Sequence, residues 1–372
     1  MQKKFKSLGL MSGTSGDGID ASIISSNGIN HFEALNNRYF EYDSDIHNQI
    51  HGLKEKIYNF GDLKKYSTEL NDLERKITLF HARIINKLDI KSIDIVGFHG
   101  HTIYHNPSEK ISYQLGDAKL LSQLVKKKII YNFRKNDILN GGEGAPLTPI
   151  FHQLLALNIN INLPICIMNI GGISNVTIIN SKDDYSKILS RDIGPGNCLI
   201  DNWIRSNTNK KFDEDGKLAL LGKVDEIIFE NAQELYSNRL NKNRLSFDIN
   251  DFDISFARGL SLEDGAATLT AFTGSIIGNS LNEYFKKSKV NIHEILICGG
   301  GRKNKHLVEN IKKNLGLKIK INFIDEYNIE GDFVESQAFA FLAIRSFLQL
   351  PISFPKTTGC KKPCTGGNLI DF

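Results

Sequence analysis

Residues 8 to 20 read Leu-Gly-Leu-Met-Ser-Gly-Thr-Ser-Gly-Asp-Gly-Ile-Asp, a glycine-rich turn set between two apolar runs, and this stretch limits the fold more than any other. The pattern predicts strand, turn, strand. Gly13, Gly16 and Gly18 let backbone approach an anion closely, and Thr14 and Ser15 add hydroxyl donors, so the turn is a candidate phosphate loop. The same residues build an ordinary hairpin turn, and on this stretch alone the two readings are level. Asp17 and Asp20 would repel a bare phosphate. A hydrated Mg²⁺ bridging carboxylate and phosphate removes the conflict, which makes Asp17 the candidate metal contact, through water. The Gly-Lys-Ser/Thr ending of a P-loop is missing and a strand follows at Ile19 to Ile24, which argues against a Rossmann cofactor loop.

The arrangement recurs. Ile165 to Ile179 is again strand, glycine turn at Gly171-Gly172, strand, and a third strand follows each hairpin, at Phe32 to Tyr42 and at Ile188 to Ile193. Two like-built halves are expected, each with the order strand, strand, strand, helix, strand, helix, strand, helix. In the first half, apolar residues three or four apart from Leu63 to Leu88 predict one long helix. A strand is expected at Ile93 to Gly97, another near Tyr113 leading to a helix capped by Asp117, and another at Ile129 to Asn132. Thr148 is read as the cap of a helix with Pro149 at its first position.

Duplicated phosphate hairpins resemble the actin-like, sugar-kinase and Hsp70 class. The expected fold is α/β: two actin-like (RNase H-like) domains, each a mixed sheet flanked by helices, with nucleotide and substrate in an inter-domain cleft. The reading divides the chain at 1–132 and 133–345, with about 346–372 packing back on the first domain.

Further motifs sit at strand ends, where ligands gather in α/β sheets. Phe98 to Pro107 carries His99, His101 and His105, which alternate on a strand or loop with no cysteine and no helical His-x-x-x-His pair among them, so metal is not expected there. Arg134 and Asp137 flank Gly141-Gly142-Glu143-Gly144, which suits sugar hydroxyls or a carboxylate but also a bare linker. Asp192 stands at the mouth of a strand beside Gly194-Pro195-Gly196-Asn197, a placement fit for a general base and equally for an aspartate satisfying loop N–H groups. Three consecutive glycines, Gly299 to Gly301, are read as ligand-bearing backbone rather than packing, with Asn304 at the following helix start. Glu335, in the first turn of the last helix, is a second acidic candidate or a partner of the helix dipole. Ser261 to Asp264 opens a long helix ending near Lys287.

Taken in order, these motifs resemble the anhydro-N-acetylmuramic acid kinases: Met-Ser-Gly-Thr-Ser-x-Asp-Gly-x-Asp from Met11, the His99 to Pro107 segment, Phe-Arg-x-x-Asp from Phe133, Gly-Gly-x-Gly-Ala-Pro-Leu from Gly141, Asp-x-Gly-Pro-Gly-Asn from Asp192, and the last helix. His101, Glu143 and Ile193 replace the usual Gln, Gln and Thr, and agreement is weakest between Asn207 and Arg258, read as an insertion in the second half. The resemblance implies ATP and Mg²⁺ as cofactors, and Asp192 as general base with Glu335 positioning the water. It puts nucleotide on Gly13 to Asp20 (Gly13, Thr14, Ser15, Gly16, Asp17, Gly18, Ile19, Asp20), Gly171, Gly172, Gly299, Gly300, Gly301 and Asn304. Sugar falls to His99, Gly100, Thr102, Arg134, Gly194, Pro195, Gly196 and Asn197. The implied reaction opens the 1,6-anhydro ring with water and phosphorylates O6. The alternatives are a kinase for another sugar hydroxyl and a non-kinase ATPase of the same fold.

Composition narrows the class. With 372 residues, 41% hydrophobic and 24% charged, the chain has material for two cores. A formal charge of +4 without a basic cluster gives no support to nucleic acid or membrane partners. Five cysteines in no metal pattern, and no apolar run fit for a signal core or a bilayer span, lead to an expectation of free thiols in the cytoplasm. A homodimer is left open.

Overall fold

The computed structural model describes residues 3–239, 245–316 and 319–372. The chain forms two compact units, one of residues 1–160, 182–188 and 333–372 and the other of residues 161–181 and 189–332.

The first unit opens with β1 (Phe5–Ser12), β2 (Gly18–Ser26) and β3 (Phe32–Glu41), an antiparallel meander, followed by α1 (Ser44–Lys54), α2 (Phe60–Lys65) and α3 (Ser67–Asn86). The periodic stripe expected to form one helix from 63 to 88 is broken at Tyr66, whose φ −103°, ψ 24° ends α2 and starts α3. Apolar spacing runs through such a break unchanged, so it gave no sign of it. β4 (Ile95–Asn106) lies parallel to β1 and is longer than expected, because its second half pairs antiparallel with β5 (Ile111–Leu115). After α4 (Ala118–Val125), capped by Asp117 as expected, β6 (Lys128–Tyr131) extends the sheet parallel to β4. α5 (Lys135–Leu139) and α6 (Pro149–Asn158) complete this run, and Thr148 makes no side-chain cap to α6. The unit continues to residue 160, past the strand end at 132, because α6 is almost wholly buried and its Phe151 packs on Phe32 of β3 and on Phe341.

The second unit repeats the plan. β7 (Ile165–Ile170), β8 (Ile173–Ile179) and β9 (Leu189–Pro195) form the meander, and β10 (Glu294–Cys298) and β11 (Lys320–Phe323) add in parallel to β7. Its helices are α7 (Cys198–Asn207), α8 (Lys217–Leu221), α9 (Glu226–Arg239), α10 (Leu262–Ser288) and α11 (Lys305–Asn314). In the first unit the main path of the sheet is β3-β2-β1-β4-β6, with β5 off it on β4, and in the second it is β9-β8-β7-β10-β11, so in each half two further strands follow on the far side of the meander's first strand, the like build expected of the two halves.

The chain then returns to the first unit as α12 (Val334–Phe347), α13 (Pro355–Thr358) and β12 (Asn368–Ile370), the last antiparallel to β6. α12 lies directly on the sheet. A β-carbon at Gly9 would come within 2.0 Å of Ser336 O, and one at Gly97 within 2.5 Å of Phe339 O, so only glycine permits this approach. Phe5 meets Phe347 at 5.7 Å between ring centroids while Gly9 faces Ser336, so α12 runs antiparallel to β1 and its first turn stands at the hairpin end of the sheet. Phe339 and Phe341 are fully buried, and truncating either to alanine would cost roughly 3–5 kcal/mol. Among the described residues no helix is long and apolar enough to cross a membrane.

Candidate active site

In the first unit the parallel strands β1, β4 and β6 end at one edge, and the expected site residues collect there. The turn between β1 and β2 closes with Gly16 N–H donating to Gly13 O at 3.1 Å, and Tyr42 N–H donates to Asp17 O at 3.0 Å. Its glycines serve different ends. Gly16 has φ +69° and a β-carbon there would meet Ile50 Cγ2 at 2.8 Å, while one at Gly18 would meet Phe40 O at 2.4 Å. These two are demanded by the protein itself. A β-carbon at Gly13 would meet only Ser15 Oγ, at 4.0 Å, so that face of the turn is open to a ligand. Ile19 is fully buried in the core, so of it only backbone faces the turn. Thr14 is exposed, and its carbonyl accepts from Lys54 Nζ of α1 at 2.5 Å.

Asp17 does not stand clear of the protein. Its Oδ1 lies 3.3 Å from Nε2 of His47, and His51, one turn further along α1, joins them with all three ligand atoms within 4.8 Å of one another. One carboxylate with two imidazoles is not the all-oxygen surrounding that Mg²⁺ requires, so Asp17 does not fit as a direct Mg²⁺ ligand. Sequence reading missed both histidines, although His47-Asn-Gln-Ile-His51 is a His-x-x-x-His spacing on a helix.

At β4, His101 is buried and its Nδ1 lies 2.9 Å from Ser12 Oγ, to which Tyr42 OH also donates at 3.2 Å. Burial, with Lys54 nearby, pushes the His101 pKa well below the ordinary histidine value, so the ring is a neutral anchor for the base of the turn. His99 is likewise held neutral by burial and by Arg134. Its Nδ1 sits 2.8 Å from Gly100 O, and its Nε2 accepts from Arg134 Nε at 3.2 Å and Nη2 at 2.9 Å. Arg134 Nη1 donates to Gly144 O at 2.8 Å. Asp137 is occupied in scaffolding, since it accepts from Gly144 N–H at 2.7 Å and Thr358 OH at 2.6 Å. Gly100 has φ +74° with Leu115 O in the way of a β-carbon, and Thr102 Oγ1 accepts from Gln114 at 3.2 Å. Glu335 is half-buried in the first turn of α12, at this same edge.

In the second unit, Asp192 is 6% exposed on β9, and its Oδ2 accepts from Phe247 N–H at 2.8 Å. β9 pairs Gly194 with Ser174 and Asp192 with Asn175, which leaves Ile193 as a bulge. Asp192 borders a cavity of about 650 Å³ together with Glu230, Gln233, Phe247, Asn279 and Lys287. The Gly194 to Asn197 segment folds back on the second hairpin turn: Asn197 N–H donates to Gly171 O at 2.8 Å and Gly196 N–H to Gly172 O at 2.9 Å. A β-carbon at Gly196 would strike Gly171 O at 2.2 Å.

The triple glycine corrects its sequence reading. β-Carbons at Gly299 and Gly301 would meet Asn169 Oδ1 at 2.3 Å and Ile170 Cγ2 at 2.2 Å, so both are packing glycines against the end of β7. Gly300 alone has open space, with only Asn197 Nδ2 at 3.9 Å. Asn304 caps α11 by accepting from Leu307 N–H at 3.0 Å. Beneath the glycines, Arg302 is gripped bidentately by Asp325 at 2.7 and 2.8 Å, by Asp332 at 2.6 Å and by Gly299 O at 3.0 Å. No motif marked Arg302 as this strut.

The family model described as anhydro-N-acetylmuramic acid kinase matches residues 5–371. The anhydro-N-acetylmuramic acid kinase of Pelagibacter ubique is 52% identical over 100% of this chain and 99% of its own. That of Agrobacterium fabrum is 35% identical over 98% of each chain. Among solved structures, the activator of the 2-hydroxyisocaproyl-CoA dehydratase from Clostridium difficile with bound ADPNP is 12% identical, covering 91% of this chain and 94% of its own, with a TM-score of 0.41.

Proposed function

The chain belongs to the anhydro-N-acetylmuramic acid kinase family, and on that premise we propose that it uses ATP and water to convert 1,6-anhydro-N-acetylmuramic acid to N-acetylmuramic acid 6-phosphate, in cytoplasmic recycling of cell-wall sugars. The likeness along the whole chain carries this reading. In the substrate O6 is locked in the ring ether and has no proton to give up, so a base has to act on water. Asp192 takes that proton as water attacks C1, the C1–O6 bond breaks, and O6 attacks the γ-phosphorus of ATP with ADP leaving. The Phe247 N–H on Oδ2 holds the carboxylate in place.

Glu335 positions the water. Arg134, oriented by neutral His99, meets the sugar's carboxylate or hydroxyls, with Gly100, Thr102 and Gly194 to Asn197 completing the sugar contacts. The open face of Gly13, the hydroxyls of Thr14 and Ser15, the Gly171-Gly172 turn and Gly300 serve the nucleotide. Mg²⁺ would arrive on the nucleotide's phosphates and supply charge neutralisation there.

The experiment is ATP consumption with the anhydro sugar present and absent, run in isotopically labelled water. Sugar-dependent turnover with label at C1 of the phosphorylated product is expected. Label in released phosphate would make the chain an ATPase, and equal phosphorylation of an open-ring sugar would make it an ordinary sugar kinase.

A further inference from the structure

We propose that Asp17, His47 and His51 form a site for a borderline divalent transition metal of the Zn²⁺ class, which fastens the first hairpin turn to α1. This rests on the three side chains alone and not on the kinase reading.

α1 buries Ile46, Ile50 and Leu53 against the first core, and that placement turns His47 and His51, four residues apart on one helix face, toward the turn. His51 points to the turn, since a β-carbon at Gly16 would stand 3.7 Å from its Nε2. Asp17 comes to meet them from the turn. Its side chain is 20% exposed and that of His47 15%.

The separation of the first pair is informative. Asp17 Oδ1 and His47 Nε2 are buried atoms 3.3 Å apart, outside hydrogen-bond geometry. A charge-assisted N–H to carboxylate bond closes to about 2.7–2.9 Å. A tetrahedral ion with bonds of about 2.0–2.1 Å instead holds neighbouring ligands roughly 3.3–3.4 Å apart. A ring nitrogen of His51, within 4.8 Å of a ligand atom of each, closes the third corner by side-chain rotation. Two imidazoles and one carboxylate select Zn²⁺, Co²⁺ or Ni²⁺ over Mg²⁺ or Ca²⁺, and leave a fourth position for water. The Lys54 ammonium, the nearby cation on α1, is committed to Thr14 O, so it ties the other side of the same turn.

The test is titration of the full-length, metal-free chain with Co²⁺, followed by the visible absorption of the ion and by calorimetry, with Zn²⁺ as competitor. One equivalent is expected, displaced by Zn²⁺ and not by millimolar Mg²⁺. His51→Gln and Asp17→Asn should each weaken it more than tenfold. Zn²⁺ should also raise the melting temperature of the parent chain and leave that of a His47→Gln/His51→Gln double variant unchanged, a comparison that requires only that the double variant melt cooperatively. Co²⁺ binding equally tight in parent and variants, or no saturable binding, would overturn the site, as would displacement by Mg²⁺.

Discussion

Arg134 donates twice to one atom of His99, Nε at 3.2 Å and Nη2 at 2.9 Å from Nε2, so this imidazole is a neutral acceptor that aims a guanidinium. Burial and the charge of Arg134 both push its pKa down, in keeping with that role. The fork cannot be copied by an ammonium. Arg134→Lys is therefore expected to raise KM for the sugar by about tenfold or more while KM for ATP stays within about twofold. A change in KM for ATP alone would remove Arg134 from the sugar contacts.

Gly13 and Gly16 make opposite predictions although they lie in one turn. Gly16→Val puts a branched side chain at φ +69° and against Ile50, and should cost roughly 2–4 kcal/mol in urea unfolding. Gly13→Val meets open space, so stability should hold and ATP affinity should fall. Unchanged affinity in a folded Gly13→Val chain would take this turn out of the nucleotide site.

Sequence reached the two like-built halves because apolar strand runs around glycine turns leave little choice of partner, and a three-strand meander with parallel strands added beside its first strand came out twice. Asp192 and Arg134 are proposed from motif order. What escaped it depends on three-dimensional neighbours. His47 and His51 were passed over because three alternating histidines at 99, 101 and 105 drew the metal question to β4, where His99 is buried between Gly100 O and Arg134 and His101 is buried against Ser12. Gly299 and Gly301 were given to a ligand because sequence cannot show that the end of β7 lies under them. Arg302 looks like any cation before a lysine until Asp325 and Asp332 close on it.

That strut is testable by itself. Arg302 is 8% exposed, whereas the Asp325 side chain is 42% exposed, so solvent screens part of the network. Arg302→Met takes the ion-pair partner from Asp325 and leaves Asp332 with Lys303, 2.6 Å away, and should cost roughly 2–4 kcal/mol in urea unfolding. A loss below about 1 kcal/mol would mean that the ion pairs add little beyond packing.

Buried histidines predict acid sensitivity. Burial pushes His81 down to about 4 and His152 to about 3, against about 6.5 in an unfolded chain. Between those values the unfolded chain binds more protons than the folded one. Stability is therefore full above about pH 6.5 and falls as the pH drops toward 4, with roughly 3 kcal/mol at stake for His81. His99 and His101 act in the same direction, while Asp325 and Asp332, held low by Arg302, lose their contribution only at more acid pH. The urea midpoint should decline steadily from pH 7 to pH 5, and less steeply in His81→Leu. A midpoint flat across that range would show that these rings are not held neutral.

Asp192 carries the chemistry in this reading, and Asp192→Asn isolates it. The amide oxygen can still accept from Phe247 N–H, so the end of β9 and the neighbouring cavity should keep their shape. What is lost is the ability to take a proton from water. Binding of ATP and of the anhydro sugar should stay within about threefold, while turnover falls by ~10²-fold or more. The residual activity should also lose its dependence on a basic group at the acid side of the pH profile, which a merely structural aspartate would not alter. Near-parental turnover in a folded Asp192→Asn chain would refute the role, and the base would then have to be sought in Glu335.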